Sequence, residues 1–197
     1  KFIPFSTLPK QQLIMFTPFK TLGKGKWFWT CLDEERRALV IRRQFGDAVT
    51  AKTVNVAHLS AIDRYLSGHQ GWVRLSNNVS KLKDGTEKEG LGKFLFDQLG
   101  WDTTESQLAS QLAALFVYCG WCEPAHPTRR RNILFRKTAL GTGGAQLYDT
   151  LKAFLQEGKA GVEAWPLEKI DRKGWEIKEK PISCFDNGKG GADGFRP

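Results

Sequence analysis

The sequence predicts a mixed α/β (α+β) fold in three parts: a small antiparallel β unit, an α/β core, and a C-terminal helix followed by a loose tail. Two observations predict it. Short aromatic or β-branched runs fill the first fifty positions, and from position 57 apolar residues recur at helical spacing. The parts are expected at 1–52, 53–140 and 141–197.

The composition is that of a folded, basic protein. Of its 197 residues, 41% are hydrophobic and 12% aromatic, and the formal net charge is +9. Such a charge indicates an anionic partner, and nucleic acid is the commonest one. No apolar run approaches the roughly 18 residues of a membrane span, so no membrane partner is predicted. The four cysteines lack the spacing of a small disulfide scaffold, which favours a cytoplasmic setting.

The β unit is predicted from the segments QLIMF, KWFWTCL and RRALVIRR, separated by Gly, Lys and the acidic turn DEE. Strand alternation directs Trp27 and Trp29 to one face and Phe28 to the other. Aromatic rings among cations are typical of sites on which unpaired bases stack or of a pocket that holds a flipped base, although one of the two faces is expected to be core. The lysines nearest these rings are Lys20, Lys24 and Lys26.

Three helices and a short strand are predicted next. The first helix ends at Gly68, and GWVRL at 71–75 reads as a strand. The second helix begins with a capping box of Thr86 and Glu89 and ends before Gly100. A third, at about 104–118, begins with a capping box of Thr104 and Gln107 and buries the stripe that follows. That stripe comprises Leu108, Leu112, Leu115 and Phe116.

A basic hairpin follows the third helix. WCEPA and ILFRKT are short apolar segments on either side of HPTRRRN, which is rich in turn-forming residues. From 57 to 138 the predicted order is helix, strand, helix, helix, strand, basic tip, strand. This order resembles a winged helix-turn-helix domain over about 80 residues. The resemblance implies a recognition helix at about 104–118 and a wing at about 124–137.

The polar face of the predicted recognition helix carries Gln107, Ser110 and Gln111 and almost no charge. Glutamine can bond the edge of adenine in the major groove, serine can bond various base edges, and a recognition helix contacts bases through its N-terminal residues. These three residues are therefore predicted to read bases. The alternatives are that the face packs against the β unit or that it is an ordinary solvent-exposed surface.

The predicted wing carries five cations and no acid between positions 124 and 140. A guanidinium group bonds two phosphate oxygens at once, so these side chains are predicted to bind the phosphate backbone. A solvated loop is the alternative. The five are Arg129, Arg130, Arg131, Arg136 and Lys137.

Cys119 and Cys122 have the spacing of half a zinc site, but a structural site needs four ligands. His126 is near in sequence, whereas Cys31 and Cys184 are far. A redox pair would favour the N-terminus of a helix, and this pair follows a helix C-terminus. The two cysteines are therefore predicted to be packing residues, and no metal or cofactor is predicted.

The function predicted overall is duplex DNA binding without a catalytic residue. A Mg²⁺-dependent nuclease is the first alternative, because Glu176 and Lys178 form the Glu-x-Lys half of such a site. A protein-interaction adaptor is the second. The helix at 145–157 carries an apolar face that could pack on the domain or form a homodimer.

Overall fold

The structure, a computed structural model, describes residues 16–45, 48–125 and 133–157, and all structural statements below refer to these. Its fold is mixed α+β, with a four-stranded antiparallel sheet, a three-stranded sheet and several helices. In chain order the elements are β1 (Thr17–Lys20), β2 (Trp27–Asp33), β3 (Ala38–Phe45), β4 (Ala48–Asn55), α1 (Val56–Ser67), β5 (Val73–Arg74), α2 (Val79–Lys83), α3 (Leu91–Asp97), α4 (Thr103–Ser106), α5 (Ala109–Tyr118), β6 (Cys122–Pro124), β7 (Leu134–Lys137) and α6 (Gly144–Gln156).

The first four strands form a meander in which each strand pairs with the next. The predicted segments KWFWTCL and RRALVIRR become β2 and β3, whereas most of QLIMF lies outside the described residues. The sequence prediction missed β4, whose run AVTAKTVN alternates only weakly. The inner face of this meander is fully buried at Phe19, Phe28, Leu39, Ile41 and Val54.

The second sheet joins three short strands in the order β5-β7-β6. Both pairs are antiparallel, and β6 and β7 are neighbours along the chain, so they form the two arms of a hairpin. The pairing extends beyond β6, because the amide of Ala125 donates to the carbonyl of Leu134 at 3.0 Å. The hairpin predicted from the sequence is therefore present, with its connection at 126–132 outside the described residues.

The second predicted helix starts later than expected. It begins at Leu91, after Gly90, so Thr86 and Glu89 form no capping box at its start. The preceding chain forms α2 instead, where Asn78 caps the helix through the amide of Lys81. Gly90 and Gly92 pack against residues 74–77, and the amide of Gly92 donates to the carbonyl of Leu75 at 2.7 Å. This close approach of two backbones explains why glycine stands at the helix start.

The third predicted helix is divided into α4 and α5 by a turn at 107–108. Its capping box is formed by Asp102 and Glu105, upstream of the predicted pair of Thr104 and Gln107. The Asp102 carboxylate accepts from the amide of Glu105 at 2.7 Å, and the Glu105 carboxylate accepts from the amide of Asp102 at 3.2 Å. Both residue pairs fit the capping-box pattern. The Asp102 carboxylate is a better acceptor than the Thr104 hydroxyl at a helix N-terminus, because its negative charge interacts favourably with the helix dipole.

The helix predicted at 145–157 is present as α6. It buries Leu147, Tyr148 and Leu151 and packs along α1. Its exposed side also contacts the β2–β3 turn, where Lys152 pairs with Glu34 at 2.7 Å. The apolar face from which homodimer formation is predicted therefore packs, in this structure, on the chain's own α1. The tail predicted after it lies outside the described residues.

One hydrophobic cluster contains residues from all three predicted parts of the chain. The inner face of the meander, the buried sides of α1 and α5, and α6 contribute to it together. The strand β4 also continues through the predicted boundary at position 52 into α1. Within the described ranges, no helix is both long and apolar enough to cross a membrane.

Candidate nucleic-acid interface

A buried carboxylate anchors the root of the β6–β7 hairpin. Asp63 of α1 accepts from the indole Nε1 of Trp121 at 3.0 Å and lies 2.6 Å from the ammonium of Lys137. Its second oxygen accepts from the amide of Gly143 at 2.6 Å. One side chain thus joins α1 to the start of β6, the end of β7 and the start of α6. This network fixes the direction in which the hairpin leaves the core.

Lys137 belongs to this network. Its side chain is only 10% exposed; the ammonium also donates to the hydroxyl of Ser67 at 2.8 Å and lies 5.2 Å from the ring centroid of Trp121. The predicted role of Lys137 as a phosphate ligand is thus corrected, because its charge is paired with the buried Asp63. Local sequence spacing could not reveal this pair, since its two members lie on distant parts of the chain.

The solvent face of the second sheet presents a cross-strand row of Trp72, Arg136 and Glu123. The Arg136 guanidinium lies 4.8 Å from the ring centroid of Trp72 and pairs with the carboxylate of Glu123. Trp72 is 43% exposed, which is unusual for so large an apolar ring. Arg74 lies on the same face of β5, two residues from Trp72, and is exposed. Arg136 is thus at the surface with its guanidinium against the ring, and its contact with phosphate stays a prediction.

Arg129, Arg130 and Arg131 lie outside the described residues, between the two arms of the hairpin. The described ends of those arms fix where this connection attaches. Ala125 and Leu134 are paired at the end of the sheet away from the Asp63 network. The two arms that the arginine run joins in sequence therefore end on the side of the sheet away from the Asp63 network.

The three residues predicted to read bases are not brought together on an open face. Gln111 is only 6% exposed. Ser110 is half-buried and its hydroxyl accepts from the amide nitrogen of Asn77 at 2.8 Å. Gln107 ends α4, and its backbone carbonyl accepts from the same Asn77 nitrogen at 3.3 Å. The prediction that this face is exposed to the major groove is thus corrected, because it packs within the chain.

The meander contacts both ends of the α4–α5 segment. At the start, the guanidinium of Arg43 on β3 donates to the carbonyl of Thr104. At the end, the hydroxyl of Tyr118 donates to the carbonyl of Lys20 at 2.7 Å, and its ring stacks on Phe19 at 5.7 Å between centroids. The meander thus packs against this segment at Thr104 and Tyr118, whereas Gln107 and Ser110 contact Asn77, which lies outside the predicted β unit.

The contact at the start of α4 is charged as well as buried. Burial lowers the pKa of the Arg43 guanidinium, and the nearby carboxylate of Asp102 opposes that effect. Next to it, the ammonium of Lys52 pairs with Glu105 at 2.6 Å and lies 4.9 Å from the ring centroid of Trp101. Charged side chains are costly to bury unless they are paired with an opposite charge. The contact between the meander and α4 therefore requires this particular arrangement of charged side chains.

A sequence signal for the burial of α5 was present. The helix is apolar or small on nearly every side, with Ala109, Ala113 and Ala114 between the leucines. A helix that is hydrophobic all round is buried rather than half exposed. The leucine stripe alone suggested one buried face, and the alanines show that other faces are buried too.

The amide of Gln111 provides a test of this placement. Its Oε1 atom is buried and has no hydrogen-bond partner among the described residues. Gln111→Met removes the unsatisfied group at nearly constant volume, so we expect the free energy of unfolding to rise by about 1 kcal/mol in urea denaturation. Nucleic-acid affinity should stay unchanged. A loss of sequence preference in this variant would instead restore the base-reading role.

The two cysteines near the hairpin are packing residues in the described structure. Cys122 is 2% exposed, Cys119 is half-buried, and both are free thiols. Burial raises the pKa of the Cys119 thiol to about 11 and raises that of Cys122 further. Neither thiol is thus activated as a nucleophile or redox group. Within the described ranges, no group of three potential metal ligands is present; His126 and Cys184 lie outside them.

Comparison with known proteins gives no relative for this arrangement. No protein-family model matches the chain, and no match is found among curated proteins or among solved structures. The residues of the nuclease alternative, Glu176 and Lys178, lie outside the described residues.

Proposed function

We propose that this chain binds duplex nucleic acid, with duplex DNA as the favoured ligand, through the β6–β7 hairpin and the solvent face of its sheet. The observation that carries the proposal is an arginine-rich connection on a hairpin whose root is fixed by a buried ion pair. A rigid root lets the connection present its guanidinium groups without a large loss of conformational entropy.

The order of the elements supports a winged helix-turn-helix arrangement for this part of the chain. A helix, α1, is followed by the single strand β5, then by the helical segments α2 to α5, and then by the hairpin. The single strand pairs with the second arm of the hairpin, which gives the order β5-β7-β6. In this proposal the wing is the segment at about 124–137, and α4–α5 occupies the position of the recognition helix.

The mode of contact differs from the one predicted from the sequence. Because the meander contacts Thr104 and Tyr118, α4–α5 cannot enter a groove unless the meander moves away. Binding through the hairpin alone uses phosphate contacts, which fix position but carry little sequence information. We therefore propose backbone- and shape-directed binding, in which Arg74 and Arg136 add to the charge of the connection.

Replacing Arg129, Arg130 and Arg131 together by alanine should weaken duplex binding by about 10- to 100-fold at low salt, since each exposed ion pair contributes about 0.5–1 kcal/mol. The slope of log K against log salt should fall by roughly 1 for each phosphate that the variant no longer binds. Fluorescence polarisation with a labelled duplex at several salt concentrations measures both quantities. All duplex sequences should be affected alike.

The matched control removes the same charge from another surface. Lys81, Lys83 and Lys88 are exposed around α2, and replacing all three by alanine lowers the net charge equally. This control should bind within about 3-fold of the wild-type protein, because scattered charges act only through a screened field. Equal losses of affinity in the two triple variants would show that binding depends only on the net charge of the protein, and would reject the hairpin as the binding surface.

A further inference from the structure

The tryptophans of β2, on which the sequence predicts that bases could stack, do not form an open surface. Trp27 and Trp29 alternate with the fully buried Phe28, as predicted, and are half-buried on the opposite face of the strand. Cys31 on that same face is buried, and the Lys20 ammonium already lies 4.5 Å from the ring centroid of Trp27. This face is therefore not available as a stacking surface.

Trp72, beside the second sheet, is more accessible. It is 43% exposed, and residues 69–71 before it are exposed as well. A Cβ atom added at the preceding Gly71 would have no atom within 4 Å, so the space next to the tryptophan is open. Large aromatic rings are usually buried in a folded domain, and exposed ones are common in binding surfaces. The Trp72 ring is therefore one that a ligand can reach.

The neighbours of Trp72 hold its ring from one side. The guanidinium of Arg136 on β7 lies 4.8 Å from the ring centroid, and the Glu123 carboxylate on β6 pairs with that guanidinium. Trp72 immediately precedes β5, which is an edge strand of the sheet ordered β5-β7-β6. The side of the ring away from Arg136 thus faces no further strand of the described sheet. A ring held in this way loses little side-chain freedom when a ligand binds to its open side.

The rest of this sheet face is apolar or basic. Arg74 lies opposite Leu134, and Ala125 is bonded to Leu134 from the other strand. Side chains paired in this way share a face of the sheet. Glu123 is the only acid in the three described strands, and it is paired with Arg136. A ligand on this face meets a ring, an exposed arginine and short apolar side chains, which suits a flat aromatic group next to a phosphate.

The flat faces of bases are accessible only at certain places in a duplex. Inside an intact duplex each base pair is stacked between two neighbours, so a protein reaches the phosphates, the sugars and the base edges in the grooves. Separating two stacked pairs to insert a ring costs free energy. At a blunt end the outer face of the terminal pair is open without that cost. Because an exposed indole binds bases by stacking on their faces, the end is the part of a duplex that best fits Trp72.

We propose that the solvent face of the second sheet binds the end of a duplex, with the terminal base pair stacked on the open side of the Trp72 indole and a phosphate beside Arg74. Arg136 and Glu123 are positioning residues that hold the ring. This inference rests on the proposed duplex binding and names the form of duplex that the site prefers. The arginine-rich connection supplies affinity for any duplex, whereas Trp72 supplies the preference for an end.

Two ligands with the same base pairs test this preference: a short blunt duplex, and a dumbbell in which non-nucleotide linkers join the strands across both terminal pairs. The whole chain is titrated with each ligand and followed by fluorescence polarisation. The wild-type protein should bind the blunt duplex about 10-fold more tightly, because the dumbbell offers no open base face. Trp72→Ala should lower the affinity for the blunt duplex to that for the dumbbell and leave dumbbell affinity unchanged. Trp72→Phe, which keeps a ring, should retain a preference for the blunt duplex.

Two controls separate the ring from the hairpin. Val49→Ala removes an exposed apolar side chain from the other sheet and should change neither affinity. The triple arginine variant of the hairpin should weaken binding of both ligands and keep the ratio between them.

The failure of this inference differs from the failure of the proposed function. Equal wild-type affinity for the blunt duplex and the dumbbell would overturn the preference for ends and leave the proposed duplex binding standing. A wild-type protein that binds neither ligand would overturn both. A Trp72→Ala protein with a wild-type melting temperature should lose affinity for the blunt duplex alone. Equal losses for both ligands, or no loss for either, would overturn the inference, because the ring would then not contact the terminal pair.

Discussion

Asp63→Ala is expected to lower the free energy of unfolding by about 3–5 kcal/mol, the cost of leaving a buried charge without its partner. In this variant the ammonium of Lys137 remains in a site where it is 10% exposed and no longer has its counter-ion. The indole of Trp121 and the amide of Gly143 are deprived of their acceptors as well. Three elements are thus released from α1 by one substitution. Urea denaturation followed by circular dichroism measures the change.

The control for this substitution is another aspartate in an ion pair. Asp149 pairs with Arg37 at 3.3 Å, but its side chain is 64% exposed. Asp149→Ala should therefore change stability by less than about 1 kcal/mol. A double variant, Asp63→Leu with Lys137→Met, removes both charges and should recover most of the stability, because an apolar pair avoids the desolvation cost. Asp63→Ala with the stability of Asp149→Ala would show that the carboxylate is not buried in solution.

The same substitution connects stability to the proposed function. The hairpin leaves the core beside Asp63, so removing this carboxylate should loosen the attachment of the arginine-rich connection as well as the fold. A loosened hairpin must be ordered on binding, and that costs conformational entropy. Duplex affinity should therefore fall in Asp63→Ala under conditions where the protein is still folded.

Features of this fold that depend on neighbouring residues could be predicted from the sequence, whereas features that depend on residues far away in the sequence could not. The strands β2 and β3, the hairpin and α6 follow from local alternation, turn residues and helical spacing, and all are present. Local rules failed at β4, because its Ala and Thr residues make the two faces of the strand similar in hydrophobicity. They also misplaced two helix starts, at Gly90 and Asp102, where a close backbone contact or a better acceptor decided the position.

Whether each candidate site residue is buried or exposed depends more strongly on residues that are distant in the sequence. Gln111 is polar in sequence and buried in the fold because the parts that surround it come from elsewhere in the chain. Lys137 has the sequence context of a basic wing, and only the fold places Asp63 beside it. A weak sequence signal existed for Asp63 itself, since it lies four residues after Leu59 and three before Leu66, on the apolar side of α1. An acid at such a position predicts a buried partner but does not identify it.

Gly144→Ala is expected to destabilise the protein by about 3 kcal/mol, although alanine is the better helix former by about 1 kcal/mol. The reason is the contact between α6 and α1. A Cβ atom at Gly144 would lie against the backbone amide and hydroxyl of Ser60 and 2.5 Å from the carbonyl of Val56. Backbone atoms cannot rotate away, so the start of α6 would have to move. Gly71→Ala, where no atom lies within 4 Å of the new Cβ, should change stability by less than about 0.5 kcal/mol.

The movement of α6 should also disturb the Asp63 network, because Gly143 immediately precedes Gly144 and its amide donates to Asp63 at 2.6 Å. The double variant Asp63→Ala with Gly144→Ala should therefore lose less stability than the sum of the single variants, by about 1 kcal/mol or more. Thermal and urea denaturation of the four proteins in the cycle give this coupling energy. Strict additivity would mean that α6 docks independently of the hairpin root. A Gly144→Ala protein as stable as the wild type would instead exclude the close packing of α6 on α1.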